Sequence, residues 1–231
     1  MTMRTWLVGM VLATGIGVWC QSAPAPAVVP ATPEAVKLPA PRTDGGAAVE
    51  KALAARRSQR AFSYKALALA ELSQLCWAAQ GVTDDKGHRT APSAMASYPL
   101  ELYVLASRVE GLPAGLYRYL PAQHALAPLK AGLTSADLVA QGAKQEWIRQ
   151  APAVFMLTGV AERAKRKMTS KGERFVWVEA GLAAENLFLQ AVSLGMGGTY
   201  VGGFDDEGLK KFLGVPAGEE PLAVLPVGRK P

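Results

Sequence analysis

The chain has 231 residues, of which half are hydrophobic and 19% are charged, so a disordered protein is excluded and one globular domain with a substantial core is predicted. The formal net charge is +6 at pH 7, but no aromatic residues are interleaved with the cationic groups, and a nucleic-acid partner is therefore not expected. With two cysteines, two histidines and no metal-ligand spacing, a zinc or iron centre is not expected either.

Residues 1–27 have the features of a secretory signal peptide. A charged start precedes an apolar stretch that is shorter than the roughly twenty residues of a membrane span. Ala25 and Ala27 are the small residues that favour cleavage after residue 27. Two alternatives remain: a lipoprotein acylated at Cys20, although Trp19 stands where a small residue is expected, or a retained membrane anchor. We therefore expect an exported, periplasmic protein.

Residues 28–45 form a segment rich in alanine and proline. This composition favours extended, polyproline-like conformations over packing. We therefore predict a spacer here and a folded domain over residues 46–231.

Hydrophobic periodicity predicts the elements of this domain. Helices are expected over residues 47–56, 69–80, 134–150, 173–194 and 206–213. Strands are expected over residues 100–106, 115–119, 153–158 and 222–227, with a glycine-rich strand and turn over residues 197–204. Helices precede and separate the strands without a regular βαβ alternation. We therefore predict an α+β fold with helices packed around a sheet, not a doubly wound nucleotide-binding fold.

The longest predicted helix, residues 173–194, has aromatic and small residues on one face. Trp177, Gly181, Ala184 and Phe188 recur at spacings of three or four. Small residues allow another backbone or a flat ligand to approach closely, but for this face alone ordinary helix–helix packing in a core is the favoured explanation.

Three arginines, Arg56, Arg57 and Arg60, lie within five residues of one another and flank Ser58. Guanidinium groups at this density can bind a phosphate bidentately and still donate to another polar edge of a ligand. The alternative is a helix end with solvated arginines. A second cationic group over residues 163–171 is predicted to be a solvated helix end or loop.

The glycines from Gly195 to Gly198 do not form a dinucleotide fingerprint, because they follow a helix and precede a strand and Tyr200 takes the sixth position. The chain also has no phosphate-binding P-loop and no nucleophile elbow. Phosphoryl transfer and esterase chemistry are therefore not expected.

Six segments carry a further signal in their order and separation: R-R-S-Q-R-A-F from Arg56, R-T-A-P-S-A-M-A-S-Y-P-L-E-L from Arg89, G-L-Y-R-Y from Gly115, E-A-G-L-A-A-E-N-L-F-L-Q-A from Glu179, G-G-F-D-D from Gly202 and L-P-V-G-R from Leu225. Taken together, over about residues 47–230, they resemble the nitroreductase family, and within it the SagB/ThcOx-like oxidoreductases. Three departures stand out: Met95 replaces a usual glycine, Leu182 a common histidine and Glu185 a common glutamine. A basic tail found in some relatives is also missing.

The resemblance implies a three-layer α/β/α domain with a mixed, mainly antiparallel sheet surrounded by helices. It also implies FMN, held non-covalently in a cleft at a homodimer interface. By position, Arg56, Ser58 and Arg60 would bind the phosphate, the ribityl chain or the pyrimidine edge, and Arg57 would assist. The other expected contacts are Pro92, Ser93 and Ala94 along the ring, the backbone of Gly202 and Gly203 near flavin N5, and Arg229 at the phosphate with Lys230 beside it.

The expected activity is an FMN-dependent oxidoreductase that passes electrons through flavin N5 to or from an unidentified small organic substrate. A ping-pong scheme is expected, in which donor and acceptor enter the same cleft in turn. Because NAD(P)H is cytoplasmic, export would require another electron donor, which the sequence does not identify. The alternative is a domain without turnover that keeps flavin or another ligand as a binding module.

Overall fold

The computed structural model describes residues 34–231; the predicted signal peptide and the first six residues of the predicted spacer lie outside this range. The strands are β1 (Val36–Lys37), β2 (Leu67–Ala68), β3 (Leu100–Ala106), β4 (Val109–Glu110), β5 (Gly115–Leu120), β6 (Ala125–Ala131), β7 (Ala153–Gly159), β8 (Gly197–Gly198) and β9 (Glu220–Gly228). The α-helices are α1 (Val49–Ala55), α2 (Leu69–Gln80), α3 (Ser135–Leu138), α4 (Ala161–Met168), α5 (Gly172–Ser193) and α6 (Asp206–Leu213).

A seven-stranded sheet in the order β1-β6-β5-β3-β7-β9-β8 forms the centre of the domain, and its neighbouring strands pair antiparallel. β3 lies in the middle and pairs with β7 from Leu100↔Gly159 to Ala106↔Ala153. Every residue of β3 and β7 is buried. Such strands need apolar side chains on both faces, because helices cover the sheet from both sides.

The two faces of the sheet pack into two separate cores. Leu102 and Val104 of β3 belong to a core that includes residues of α2 and α5, whereas Leu105 belongs to one that includes Leu209 and Phe212 of α6. Successive residues of one strand enter opposite cores because side chains alternate across a sheet. The predicted three-layer α+β domain with a mainly antiparallel sheet is confirmed.

One predicted helix, over residues 134–150, is wrong. The segment consists of α3, a wide turn over Val139–Ala143 and a 3₁₀ turn over Glu146–Gln150, with Lys144 in the left-handed region at φ 58°. Gly142 packs against α6 so closely that a Cβ there would lie 2.9 Å from the Leu209 nitrogen. The apolar periodicity is real, but contact with α6 bends the chain out of a continuous helix.

Part of the predicted spacer packs on the domain. β1 pairs with β6, Leu38 is buried, and Pro39 accepts a hydrogen bond from the Ser73 hydroxyl at 2.6 Å. Further along, the Gln74 side chain accepts from the backbone N–H of Arg42 at 2.8 Å and donates to its carbonyl at 3.0 Å. An alanine- and proline-rich segment can bind in this way because its backbone donors and acceptors are paired by the domain.

The small-residue face of α5 is divided between core and surface. Ala184 and Phe188 are buried, whereas Trp177 is 56% exposed and Gly181 has open space around it. None of the helices within residues 34–231 is long and apolar enough to cross a membrane.

Candidate active site

The segment after α1 lies along the sheet edge at β8. Ser58 forms a parallel bridge with Gly198, and the backbone N–H of Gln59 donates to the Gly198 carbonyl at 3.0 Å. The Thr199 hydroxyl donates to the Gln59 carbonyl at 2.6 Å. A Cβ at Gly197 would lie 2.7 Å from Gln59 Oε1, so any other residue here would require the Gln59 side chain to shift. These contacts fix the arginine-containing segment on a rigid strand edge.

A cleft of about 710 Å³ opens beside this segment. Its volume falls within the range of about 300–1,000 Å³ that is usual for ligand and cofactor sites. The lining includes Arg57, Ser58, Gln59 and Arg60, Val192 and Gly195 near the end of α5, and Lys230 beside the C-terminus.

The cleft is cationic because of its side chains. Among residues 34–231, Arg57, Arg60 and Lys230 make no ion pair. The C-terminus of α5 also lies at this cleft, and its partial negative charge acts against the positive charge of these side chains. Unpaired cations around a cavity favour an anionic ligand, and guanidinium groups suit a phosphate in particular.

The two C-terminal cations are placed differently. Arg229 pairs with Glu71 and donates from Nη1 to the Leu194 carbonyl at 3.2 Å, which caps the end of α5. Lys230, in contrast, lines the cleft. Arg229 was expected from sequence at a phosphate, but in this structure it stabilises the contact between α2 and α5 behind the cleft.

Arg56 is also held away from the cleft lining. Its Nε lies 3.3 Å from Glu185 Oε1 on α5, and both side chains are partly exposed. The four residues expected from the first motif therefore separate into three that line the cleft, Arg57, Ser58 and Arg60, and one that is ion-paired.

Pro92, Ser93 and Ala94 lie in a loop that is not part of the cleft lining. The backbone N–H of Ala94 donates to Glu179 Oε1 at 2.9 Å, and Ser93 Oγ accepts from the Tyr98 N–H at 2.8 Å. Burial raises the pKa of Glu179, while its hydrogen bonds from the loop act in the opposite direction. The loop and the arginine segment therefore contact α5 at different positions.

Gly202 and Gly203 are exposed and have space around them. A Cβ at Gly202 would lie 3.7 Å from Tyr200 Cε1, and one at Gly203 would lie 4.0 Å from Gln145 Nε2. Neither residue has a left-handed backbone. Packing and backbone conformation therefore do not require glycine here, and the open backbone is available to a ligand.

Two buried polar atoms near the cleft have no hydrogen-bond partner in the described structure, Gln59 Oε1 and Arg229 Nε.

Two residues of the cleft lining, Gln59 inside the arginine motif and Val192 at the end of the long helix, are not predicted from the sequence. Only the packing of residues 58–59 on β8 places them at one cleft. Within residues 34–231 no cluster of histidine, cysteine, aspartate or glutamate could hold a metal ion.

Comparison with known proteins gives consistent matches along nearly the whole described domain. A model of the Nitroreductase family matches residues 53–229. A protein of Methanocaldococcus jannaschii that is named as a nitroreductase is 40% identical over 182 residues, which cover 79% of this chain and 91% of that protein.

Solved structures match as well. A crystal structure from Ralstonia eutropha, also named as a nitroreductase, has a TM-score of 0.75 and 32% identity, and the match covers 88% of this chain and 92% of the other. The NADPH:FMN oxidoreductase of Vibrio harveyi has a TM-score of 0.56 at 16% identity, with coverage of 79% of this chain and 68% of that one. This last likeness shows the fold alone.

Proposed function

The chain belongs to the nitroreductase family of oxidoreductases, and we propose that it is an FMN-dependent enzyme whose phosphate site is the cleft beside Arg57, Ser58 and Arg60. One observation carries the proposal: the cleft is large enough for a cofactor, and the cations Arg57, Arg60 and Lys230 line it without an ion-pair partner among the described residues. A flavin phosphate would provide the missing counter-charge.

The residues present fit such a cofactor. Arg57 and Arg60 supply guanidinium donors for phosphate, the Ser58 hydroxyl adds a neutral donor, and Lys230 adds a flexible ammonium group. Gln59 also lines the cleft, but its unpartnered Oε1 is buried against Gly197 and would reach a polar edge of the ligand only after this side chain turns. A bound flavin would supply the electron transfer itself, and the protein would bind and orient it.

We also propose that the enzyme is a homodimer. The outer face of α5 exposes Trp177, Val178 and Leu182 at 56%, 53% and 40%, and α1 exposes Val49 and Leu53 at 62% and 53%. Large apolar side chains on two contacting helices are typical of an interface. A second copy on this face would explain why Pro92–Ala94 and Gly202–Gly203 lie outside the cleft lining of a single chain: the site would be completed by two chains.

The finer features of the activity are part of the same proposal. A donor and a small organic acceptor would use the cleft in turn, in a ping-pong scheme. Export, inferred from residues 1–27, would make the periplasm the site of action and require a donor other than NAD(P)H. The loop at residues 89–102 supports placement in the SagB/ThcOx-like branch.

The test is reconstitution with FMN. Purified protein would be stripped of flavin, titrated with FMN and followed by visible absorbance and flavin fluorescence, then mixed anaerobically with NADPH and with non-nicotinamide reductants. Stoichiometric binding followed by reduction and by reoxidation with an organic acceptor is the expected result. Binding without turnover by any donor would favour the binding module instead. Folded protein that binds no FMN at micromolar concentration would contradict the proposal.

A homodimer predicts a mass twice that of the chain in light scattering or sedimentation. Trp177→Glu on the exposed face of α5 should shift the protein toward monomer, because a charge would be buried in the interface. Leu129→Glu, at an exposed apolar residue of β6 (44%), is the matched control for a new charge away from α1 and α5. A parent protein that is monomeric at every concentration would contradict the dimer.

A further inference from the structure

The loop over residues 93–98 has an unfavourable backbone conformation. Met95, Ala96 and Tyr98 all lie in the left-handed region, with φ of 54°, 48° and 43°. This region is unfavourable for residues with a Cβ, and a bulky residue there must be stabilised by its surroundings. Met95 gains no such stabilisation from burial, since it is 69% exposed. The contacts of the loop backbone must therefore hold the conformation.

Lys167 of α4 provides two of these contacts. Its Nζ donates to the Met95 carbonyl at 2.9 Å and to the Ala96 carbonyl at 2.8 Å. Both acceptors belong to left-handed residues, and both hydrogen bonds have a charged donor, which makes them stronger than neutral ones. Lys167 therefore holds two of the three left-handed residues of the loop.

Glu179 and Arg163 hold the two ends of the loop. Glu179 Oε1 of α5 accepts from the Ala94 N–H at 2.9 Å, and Arg163 Nη1 of α4 donates to the Tyr98 carbonyl at 3.2 Å. Arg163 is itself fixed by Glu101 of β3, with Nη2 and Oε1 2.6 Å apart. The loop is thus attached by charged side chains to two helices, and through Arg163 to the centre of the sheet.

We propose that Lys167 and Glu179 are positioning residues that hold the loop over residues 93–98 in the geometry required at the flavin ring. The proposal rests on the proposed function, including the dimer, because it requires a flavin beside Ser93 and Ala94, which lie outside the cleft lining of one chain. Lys167 acts on the carbonyls of Met95 and Ala96, and Glu179 acts on the N–H of Ala94. In this proposal both residues act through the loop and not by contact with the cofactor.

The same helix provides a matched control. Lys165 of α4 pairs with Glu173 at 3.0 Å, away from the loop carbonyls. Lys165→Met and Lys167→Met remove the same charge from the same helix, but only Lys167→Met removes donors from the loop. Lys167→Arg keeps the charge and the donors, and it serves as the conservative variant.

The first measurement tests the attachment without any flavin. Amide hydrogen exchange of the purified, flavin-free protein would be compared between the parent and the lysine variants. Lys167→Met should speed exchange about fivefold at Ala94, Ser97 and Tyr98, with no change in β3, and Lys165→Met should leave the loop at the parental rate. Equal exchange in the parent and in Lys167→Met would overturn the role of Lys167.

The second measurement tests the effect at the flavin. With FMN added, Lys167→Met and Glu179→Gln should weaken FMN binding about threefold to tenfold, alter the visible circular dichroism of the bound flavin and lower kcat for the acceptor. Lys167→Arg should restore most of each loss. If Lys167 only stabilised the fold, Lys167→Met would lower the melting temperature without changing the flavin spectrum or the pattern of kcat and KM.

The two measurements separate the possible failures. Faster loop exchange with unchanged flavin spectra, FMN affinity and kcat would overturn the positioning role while leaving the proposed function intact. A parent protein that binds no FMN would overturn the proposed function and, with it, the role at the flavin, whereas the exchange data would still show whether Lys167 holds the loop.

Discussion

The chain has two dense groups of cationic residues, and the structure uses them in opposite ways. Arg57 and Arg60, together with Lys230, surround a cleft and have no ion-pair partner among residues 34–231. The cations of α4 are engaged: Lys165 pairs with Glu173, Arg163 with Glu101 and Arg166 with Glu162, and Lys167 binds loop carbonyls. The two groups look alike in sequence.

The difference shows that the density of positive charge does not by itself identify an anion site. A cation that already has a carboxylate partner gains little from an external anion, because it must first give up that counter-charge. Arg57 donates to the adjacent Arg56 carbonyl at 2.6 Å, but Arg57, Arg60 and Lys230 have no carboxylate partner among residues 34–231, so their positive charge remains available to an external anion. The cleft and α4 are both cationic, and they differ in how far that positive charge is available to an external anion.

The largest expected effect comes from removing the cleft cations. Arg57→Gln combined with Arg60→Gln should weaken FMN binding about 30-fold or more, or about 2 kcal/mol, because two charge-assisted contacts to phosphate are lost. Lys165→Gln combined with Arg166→Gln removes the same charge from α4 and should leave the affinity within about twofold. Isothermal titration would measure both. Similar losses in the two double variants would show that only net charge matters.

The C-terminal neighbours offer a sharper form of the comparison. Arg229→Met removes the donors to Glu71 Oε1 and to the Leu194 carbonyl, so the free energy of unfolding should fall by about 1–3 kcal/mol. Lys230→Met should leave the melting temperature nearly unchanged and weaken FMN binding about tenfold. Thermal melts without flavin and FMN titrations would separate the two. A melting temperature lowered equally by both changes would contradict the assignment.

His124 extends the comparison of cationic groups, because the structure disfavours a positive charge on its ring. Burial, aided by the nearby Lys37, lowers the pKa of His124 below its usual 6.5. Its Nδ1 faces the Tyr119 hydroxyl at 2.8 Å, and Nε2 faces the Pro39 carbonyl at 2.9 Å and the Ser73 hydroxyl at 2.7 Å. These partners suit a neutral ring that donates from Nε2 and accepts at Nδ1.

The sign of the pH dependence follows from this lowered pKa. Near pH 6 the unfolded chain binds a proton at His124 more readily than the folded protein does, so stability is complete above about pH 6.5 and decreases as the pH falls toward the folded pKa. His124→Gln should reduce the loss of melting temperature between pH 7 and pH 5. A variant whose pH profile is identical to that of the parent would show that His124 does not contribute.

The smallest effect is expected at the ion pair between Arg56 and Glu185. Both side chains are more than a third exposed, and such pairs contribute about 0–1 kcal/mol. Glu185→Gln should change stability by less than about 0.5 kcal/mol and FMN affinity by less than about threefold. Chemical denaturation and FMN titration would check both values. A gain of tenfold or more in FMN affinity would show that Glu185 withholds Arg56 from the cofactor.

Much of the fold follows from local patterns in the sequence. The strand over residues 100–106 and the helices over residues 69–80 and 206–213 have the predicted bounds, because period-2 and period-3.6 patterns coincide there with clear ends. The segment over residues 134–150 shows the limit. Its apolar pattern suits a helix, but the close packing of Gly142 on α6 depends on residues more than sixty positions away.

Prediction of the site from the sequence is limited in the same way, because it too depends on tertiary contacts. The motif around Arg57, Ser58 and Arg60 could be read from the sequence because three of its residues cluster within a few positions. The difference between Arg229 and Lys230 could not be read, because it depends on where Glu71 and Leu194 lie in space. The two adjacent cations have similar chemistry, and only tertiary contacts determine which one is free.

The most direct test of the cleft as a phosphate site compares FMN with riboflavin, which lacks only the phosphate. Affinities would be measured by flavin fluorescence for the parent protein and for the Arg57→Gln, Arg60→Gln double variant. The parent should bind FMN at least about 30-fold more tightly than riboflavin, and the double variant should lose most of this preference. Equal binding of the two flavins by the parent, or a preference that survives in the double variant, would contradict the account.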